Sequence, residues 1–309
     1  MQAGGHCGKF ITDYLLKTGK HITALTRKGS SNKIAAGVAI KEVNYDDPAT
    51  LVSALEGQDC LIITLSVFAP QDTQSKLVNA AAEAKVPWIL PNEWGGDMSG
   101  DIGREALIGP PVMQNRELID SLGVSSWISV ACGFWYEFSL AGSVDRYGFD
   151  FKNKNVIIFD DGQVKMTTST WPLVGRATAK LLSFKILPDD ENDKSPCLDN
   201  FRRKNVYISS FYVNQMDMLQ SVLRVTGTKE ADWKITYESS KERYESALEV
   251  VKKGDRSQFA KLLYSRLFYP GATAAYQTQL SNGILGLPNE DLDEFTKVAI
   301  QMDKDGFFG

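Results

Sequence analysis

A Gly-x-x-Gly spacing at Gly5 and Gly8, running straight into the amphipathic stretch Phe10-Ile11-Thr12-Asp13-Tyr14-Leu15-Leu16, constrains this chain more than any other feature. Phe10 and Tyr14 share one helical face, Ile11 and Leu15 share another, and Gly19 supplies a C-terminal stop. Glycines entering a helix let the backbone approach an anion, and the helix N-terminus offers free N–H groups and a partial positive charge. His6 and Cys7 lie between the glycines, so their main chain belongs to the same turn. This pattern predicts a dinucleotide-binding turn. Such turns open on a glycine at the position held here by Gln2 and are fed by an apolar strand. The chain starts inside the loop, so the expectation is a doubly wound sheet with its first strand truncated.

The rest of the chain up to residue 150 alternates strand and helix. Apolar strand patterns fall at 21–26, 39–43, 59–65, 86–90 and 126–130, with helical patterns at 48–57, 71–84 and 112–122. Asp47-Pro48 reads as an N-cap followed by proline at the first helical position. Strands separated by helices predict a parallel sheet with right-handed crossovers. Beyond residue 150 the pattern changes. A hairpin is expected over 155–168 around Asp160-Asp161-Gly162, followed by a strand at 205–209. Helices are expected from Trp171 onward and at 213–226, 240–253, 257–269 and 289–302. The division expected is a nucleotide-binding domain over 1–150 and a smaller α/β lobe over 151–309, interleaved with it, that carries substrate contacts.

Composition removes several function classes. A net charge of −4 argues against general nucleic-acid binding. No apolar run long enough to span a bilayer and no signal peptide is read. Cys7, Cys60, Cys132 and Cys197 lack paired metal spacing, which predicts reduced thiols in a cytoplasmic protein without a metal site. His6 and His21 both lie in the N-terminal turn and strand, too few and too early for a His-based metal site or a Ser-His-Asp triad.

The remaining polar residues cluster at expected strand ends. The second strand of the sheet would end in Arg27-Lys28, where an NAD-binding chain would carry an acid for the ribose diol. Two cations there suit the 2′-phosphate of NADP(H), Arg bidentately and Lys as a point charge. The loop holding Ser66 and Val67 would pass the cofactor's middle. Pro91-Asn92-Glu93-Trp94 suits a pocket floor, and Phe134, Trp135 and Tyr136 a wall for an apolar or aromatic substrate.

The order Gly5-x-x-Gly8, Thr26-Arg27-Lys28, Pro91-Asn92-Glu93-Trp94-Gly95 and Gly133-Phe134 resembles the NmrA-like, isoflavone-reductase-like family of atypical short-chain dehydrogenases, fungal members in particular. The resemblance implies a Rossmann-like fold with a small C-terminal lobe, NADPH as cofactor, and hydride transfer to small phenolic or secondary-metabolite substrates. By resemblance Gly5, Gly8 and Arg27 bind cofactor, Asn92 and Glu93 lie near the nicotinamide, and Phe134 walls the pocket. The family's reductases place a general-acid Lys where this chain has Pro110-Pro111-Val112-Met113-Gln114-Asn115-Arg116. Arg116 does not deprotonate near neutrality, which leaves Tyr136 as the candidate proton donor. It also keeps a second expectation, a non-catalytic NADP(H)-binding regulator of the NmrA type.

Overall fold

The chain builds its first helix directly from the glycine turn. A computed structural model describes residues 3–30, 33–66, 69–270 and 274–308. Helix α1 (His6–Lys17) starts after Gly5, and buries Cys7, Gly8, Ile11, Thr12 and Leu15, the i, i+4 stripe that its apolar spacing dictates. Strands β1 (Thr23–Arg27) and β2 (Ala39–Val43) run parallel, with Arg27 opposite Val43. Helix α2 (Pro48–Leu55) opens with the Asp47 carboxylate accepting from the Ala49 amide, the cap expected from Asp-Pro. Then follow β3 (Cys60–Ile62), α3 (Thr73–Glu83), β4 (Trp88–Leu90), the short α4 (Asp101–Glu105), α5 (Gly109–Leu122) and β5 (Ser126–Ala131). All six residues of β5 are buried, as a central parallel strand requires.

The second half is more mixed. It contains β6 (Phe134–Trp135), α6 (Tyr136–Leu140), β7 (Phe149–Asp150), β8 (Asn155–Phe159), β9 (Met166–Ser169), α7 (Trp171–Leu181) and β10 (Lys204–Tyr207). It closes with β11 (Phe211–Val213), α8 (Gln215–Thr226), β12 (Lys234–Glu238), α9 (Ser240–Lys252), α10 (Phe259–Leu267) and α11 (Leu292–Lys304). The strands of the first half, together with β10, form two all-parallel ladders, β2-β1 and β3-β4-β5-β10. With helices packed against them they give the Rossmann-like, doubly wound arrangement expected. Gln2 lies outside the described residues.

The hairpin expected over 155–168 does not form. β8 pairs in parallel with β12 and antiparallel with β7, whereas β9 pairs with β11 and β6. The chain does turn at Asp160-Asp161-Gly162, but the Asp160 amide donates to the Glu238 carbonyl instead of closing a local ladder. A sheet partner arriving from beyond α8 outcompetes the local one.

Three buried clusters hold these layers. One lies between α1, α7 and the inner face of β4 and β5, around Ile11, Leu15, Leu173 and Ile128. A second fills the opposite face between β3, β4 and helices α2, α3 and α5, around Leu51, Leu77, Ile89 and Ile119. The third belongs to the second half, around Tyr147, Phe149, Phe159 and Met218. α1 and α7 approach so closely that a Cβ on Gly175 would lie 2.5 Å from the Phe10 carbonyl oxygen. Arg176 Nε on the same helix donates to Tyr14 Oη at 2.8 Å. Gly175→Ala should therefore force the two helices apart and lower stability by about 1–3 kcal/mol, measured by urea denaturation. An unchanged midpoint would mean that this helix pair is not close-packed.

Candidate functional site

The N-terminal turn of α1 is open. Gly5 caps the helix in an extended conformation (φ −73°, ψ 166°), with no side chain capping the first turn and no acidic residue in it. The first-turn amides are thus left for an external acceptor. The His6 ring is exposed, stacked on Trp171 at 5.4 Å and tilted against Phe307 at 4.6 Å. Partial burial lowers its pKa, which keeps it neutral at pH 7. Cys7 is buried, and burial, followed by the neighbouring Cys132 and Glu137, pushes its thiol well above the ordinary range. It packs instead of reacting. Gly8 is buried and its carbonyl accepts from Thr12 Oγ1.

Arg27 and Lys28 are exposed at the C-terminal end of β1. Arg27 lies within electrostatic reach of the half-buried Tyr45. Past β3, Thr64 is buried and its Oγ1 has no hydrogen-bond partner among the described residues, while Ser66 is exposed. Val67 lies outside the described residues.

The segment after β4 is occupied with its own structure. Asn92 Oδ1 accepts from the Leu65 amide at 2.9 Å, and its own amide donates to Gln74 Oε1 at 3.1 Å. Trp94 Nε1 donates to the Ile63 carbonyl at 2.7 Å. Glu93 is paired with Arg116 of α5, both side chains less than a tenth exposed. Arg116 Nε reaches both carboxylate oxygens, its Nη2 donates to Asn205 Oδ1 at 2.8 Å, and its guanidinium lies 4.2 Å above the Trp127 ring. Asn205 Nδ2 donates to Tyr207 Oη, which donates to Asp97 Oδ2. The side chains expected to face a cofactor tie the ends of β3, β4 and β10 together. Arg116 was legible as a buried residue, since Val112, Arg116 and Ile119 share one face of α5.

The aromatics expected to wall a pocket lie in different surroundings. Gly133 (φ +66°) sits where a Cβ would lie 2.2 Å from the Thr167 carbonyl oxygen, which fixes the turn into β6. Phe134 is half-buried and stacked on Tyr264 at 4.2 Å, and Trp135 packs 5.8 Å from Trp171. Tyr136 departs from expectation. It is fully buried, its hydroxyl 2.7 Å from Thr296 Oγ1, and its ring edge-on to Phe211 at 5.2 Å. Burial pushes its phenol far above the usual value. A hydroxyl sealed inside the second-half core supports the wall from behind and does not reach a reacting atom.

Its neighbour Glu137 is the residue that sequence reasoning missed. It is 1% exposed, Oε1 accepts from the Trp171 amide at 2.8 Å, and Oε2 has no partner among the described residues. Burial, opposed by these backbone bonds, pushes the carboxyl up to about 7. Nothing in the local spacing marks it, because its environment is made by α7.

With this geometry in hand, three comparisons place the chain. The NmrA-like family profile matches residues 1–106, the stretch from the glycine turn through α4. The chain is 24% identical over 311 residues to the oxidoreductase poxI of Penicillium oxalicum, covering 97% of this chain and 93% of that protein. An isoflavone reductase crystal structure superposes with a TM-score of 0.70 at 20% identity, covering 95% of this chain and 96% of that one. An NADPH-dependent quinone oxidoreductase from Escherichia coli gives 0.67 at 17% identity, with 96% of both chains covered. The chain resembles the NmrA-like, isoflavone-reductase-like proteins and has their fold over nearly its whole length. Among the described residues no helix is long and apolar enough to cross a membrane, and no group of three or more His, Cys, Asp or Glu is placed to hold a metal ion.

Two measurements follow from this site. Arg116→Ala strands a buried carboxylate and should cost about 3–5 kcal/mol by denaturant titration, whereas Glu93→Gln with Arg116→Met should cost less. Equal losses would show that the charge pairing is not what matters. Glu137 carries the opposite sign. Its ordinary value is 4.5 and its folded value about 7, so ionisation opposes folding. The unfolded chain ionises first as pH rises above 4.5, and the folded state pays the full penalty only above pH 7. Glu137→Gln should therefore gain stability relative to the native chain between pH 5 and pH 8, by up to about 3 kcal/mol. A melting-temperature difference independent of pH would overturn this assignment.

Proposed function

We propose that this chain is an NADPH-dependent reductase that transfers hydride to a small aromatic or secondary-metabolite substrate in the cytoplasm. The reading rests on the first turn of α1, which no side chain caps among the described residues, together with the exposed pair Arg27 and Lys28 at the end of β1. The residues present fit the cofactor. The amides of the Gly5–Gly8 turn meet the pyrophosphate, with no acidic residue in the helix's first turn to oppose it. Arg27 and Lys28 hold the 2′-phosphate. Thr64 Oγ1, buried and without a partner among the described residues, offers a hydroxyl to the cofactor's middle, and Ser66 and Val67 complete that loop. Bound NADPH would supply the hydride. His6, Trp135 and Trp171 form an apolar screen beside the turn that keeps water from the transfer. Asn92 and Glu93 act by fixing the strand ends that the cofactor crosses, and Trp94 and Phe134 border the substrate side. In this division residues 1–150 hold the cofactor and residues 151–309 close over it. The relative poxI, named an oxidoreductase, and the E. coli NADPH-dependent quinone oxidoreductase support the class of chemistry.

A second reading is favoured by two observations. α5 opens on Gly109-Pro110-Pro111-Val112 with no Lys, and Tyr136 is sealed. Both suit an NADP(H)-binding regulator without turnover. Titration with NADPH and NADH, followed by tryptophan fluorescence, tests the cofactor, and a carbonyl and enone panel tests turnover. NADPH should bind well above NADH, and Arg27→Ala with Lys28→Ala should weaken NADPH binding by about 1–3 kcal/mol while leaving NADH unchanged. Equal affinity for the two cofactors would overturn both readings, and tight NADPH binding without turnover would select the regulator.

A further inference from the structure

His6, the first residue of α1, is met by the residues that follow α11. That helix is anchored in the second half: Thr296 Oγ1 lies 2.7 Å from Tyr136 Oη, and Asp293 accepts from Ser221 Oγ and from Arg224. It stops at Gly306, which takes a left-handed conformation (φ +67°) that a side chain would disfavour. The Gly306 amide donates to the Asp303 carbonyl and the Phe307 amide to the Met302 carbonyl, both at 3.0 Å. These are the two bonds of a Schellman cap, and they turn the tail away from the helix axis. Phe307, half-buried, then packs against the cluster that α1 and α7 bury in the first half. Its ring lies 4.6 Å from that of His6 and 6.1 Å from that of Trp171. A tail that leaves a second-half helix thus ends on the glycine turn.

Trp171, the first residue of α7, is the floor of this contact. It also packs on Phe10, Trp135 and Phe138 at 5.7 to 6.1 Å. The tail is fastened at one further point. Phe308 lies 5.0 Å from Phe138, and the Arg146 guanidinium is 4.2 Å from each of these rings. Arg146 Nη1 donates to the Phe138 carbonyl at 3.3 Å, which holds the guanidinium in place between them. A Cβ on Gly142 would lie 2.1 Å from Arg146 Nη1, so a glycine makes the room for it. Phe308 is 43% exposed, and its stack on Arg146 can open without breaking a core.

We propose that Gly306-Phe307-Phe308 is a strap, clasped by Arg146, that closes on the first turn of α1 and holds a bound dinucleotide there by slowing its release. This rests on the reading that the turn takes the cofactor's pyrophosphate. The His6 amide is one of the first-turn donors, and its ring is held between Trp171 and Phe307. A ring fixed on both sides limits the motion of the amide that carries it, so a closed strap and an ordered turn favour one another. A ligand that orders the turn therefore favours the closed strap, and the coupling is mutual. No side chain caps the helix end among the described residues, so entry stays open and the effect falls on departure.

The test uses the full chain and NADPH. Release into an excess of NADP+ is followed by stopped flow. Phe307→Ala should release NADPH at least about fivefold faster than the native chain and associate within about twofold of the native rate. Phe151→Ala is the control. It removes a ring of similar exposure from the second-half core, where Phe151 packs on Phe149 and Trp233, and should leave release unchanged whatever it does to the melting temperature. Arg146→Gln should speed release by about two- to threefold and add little to Phe307→Ala, because both open the same strap. Hydrogen exchange supplies a readout on the native chain. Bound NADPH should slow exchange of the Phe307 amide by about fivefold. Release from Phe307→Ala no faster than from Phe151→Ala, or exchange at Phe307 that NADPH leaves unchanged, overturns the strap and leaves the cofactor reading standing. A native chain that does not bind NADPH overturns both. Where Phe307→Ala does not fold, the exchange measurement decides.

Discussion

The buried pair of Glu93 and Arg116 is the interaction on which the C-terminal edge of the sheet depends. Taking both charges out of water is costly, and the cost is met only if every donor and acceptor finds a partner. Here Arg116 reaches Glu93 from α5, Asn205 from β10, and the Trp127 face from β5. Four elements must therefore arrive in register before the pair is tolerable. The same requirement fixes Asn205, and through it Tyr207 and Asp97. A contact whose first duty is structural thus also sets where Asp97 sits.

Much of the α/β pattern is legible because its signals are local. Asp47-Pro48 and Thr170-Trp171-Pro172 announce helices by caps that the structure uses, and the apolar run ending at Ala131 can only be a strand covered on both faces. Pairing is less legible. Asp160-Asp161-Gly162 says that the chain reverses, but not that β8 and β9 part into different sheets. Partner choice is settled by Lys234–Glu238, far along the chain, and no local spacing encodes it.

The candidate site divides along the same line. The position of Arg27 and Lys28 follows from counting one helix and one strand past the glycines. The polar density of Asn92-Glu93-Trp94 is equally visible, yet density alone does not say which way it faces. Each of those side chains spends its hydrogen bonds on Leu65, Arg116 or Ile63. Glu137 and Tyr136 are adjacent in sequence and alike in burial. One meets the Trp171 amide and the other meets Thr296, partners that only the folded chain supplies. The surface depression lined by Asp97, Arg266, Tyr269 and Tyr276 has no sequence signature, because its walls come from residues about 170 positions apart, brought together by tertiary packing.

The place of β10 in the sheet governs the order in which this protein can be made. β10 pairs with β5, although β6 to β9, α6 and α7 are all synthesised between them. Until Tyr207 has left the ribosome, the fully buried strand β5 has one edge unpaired, and it presents a flat apolar ribbon to any other chain nearby. α1 waits in the same way, since its cover is α7. The first half of the chain cannot mature as an independent module ahead of the rest. A ribosome that stalls between residues 131 and 204 leaves an exposed strand, and the nascent chain needs shielding over that interval more than at any other point of its synthesis.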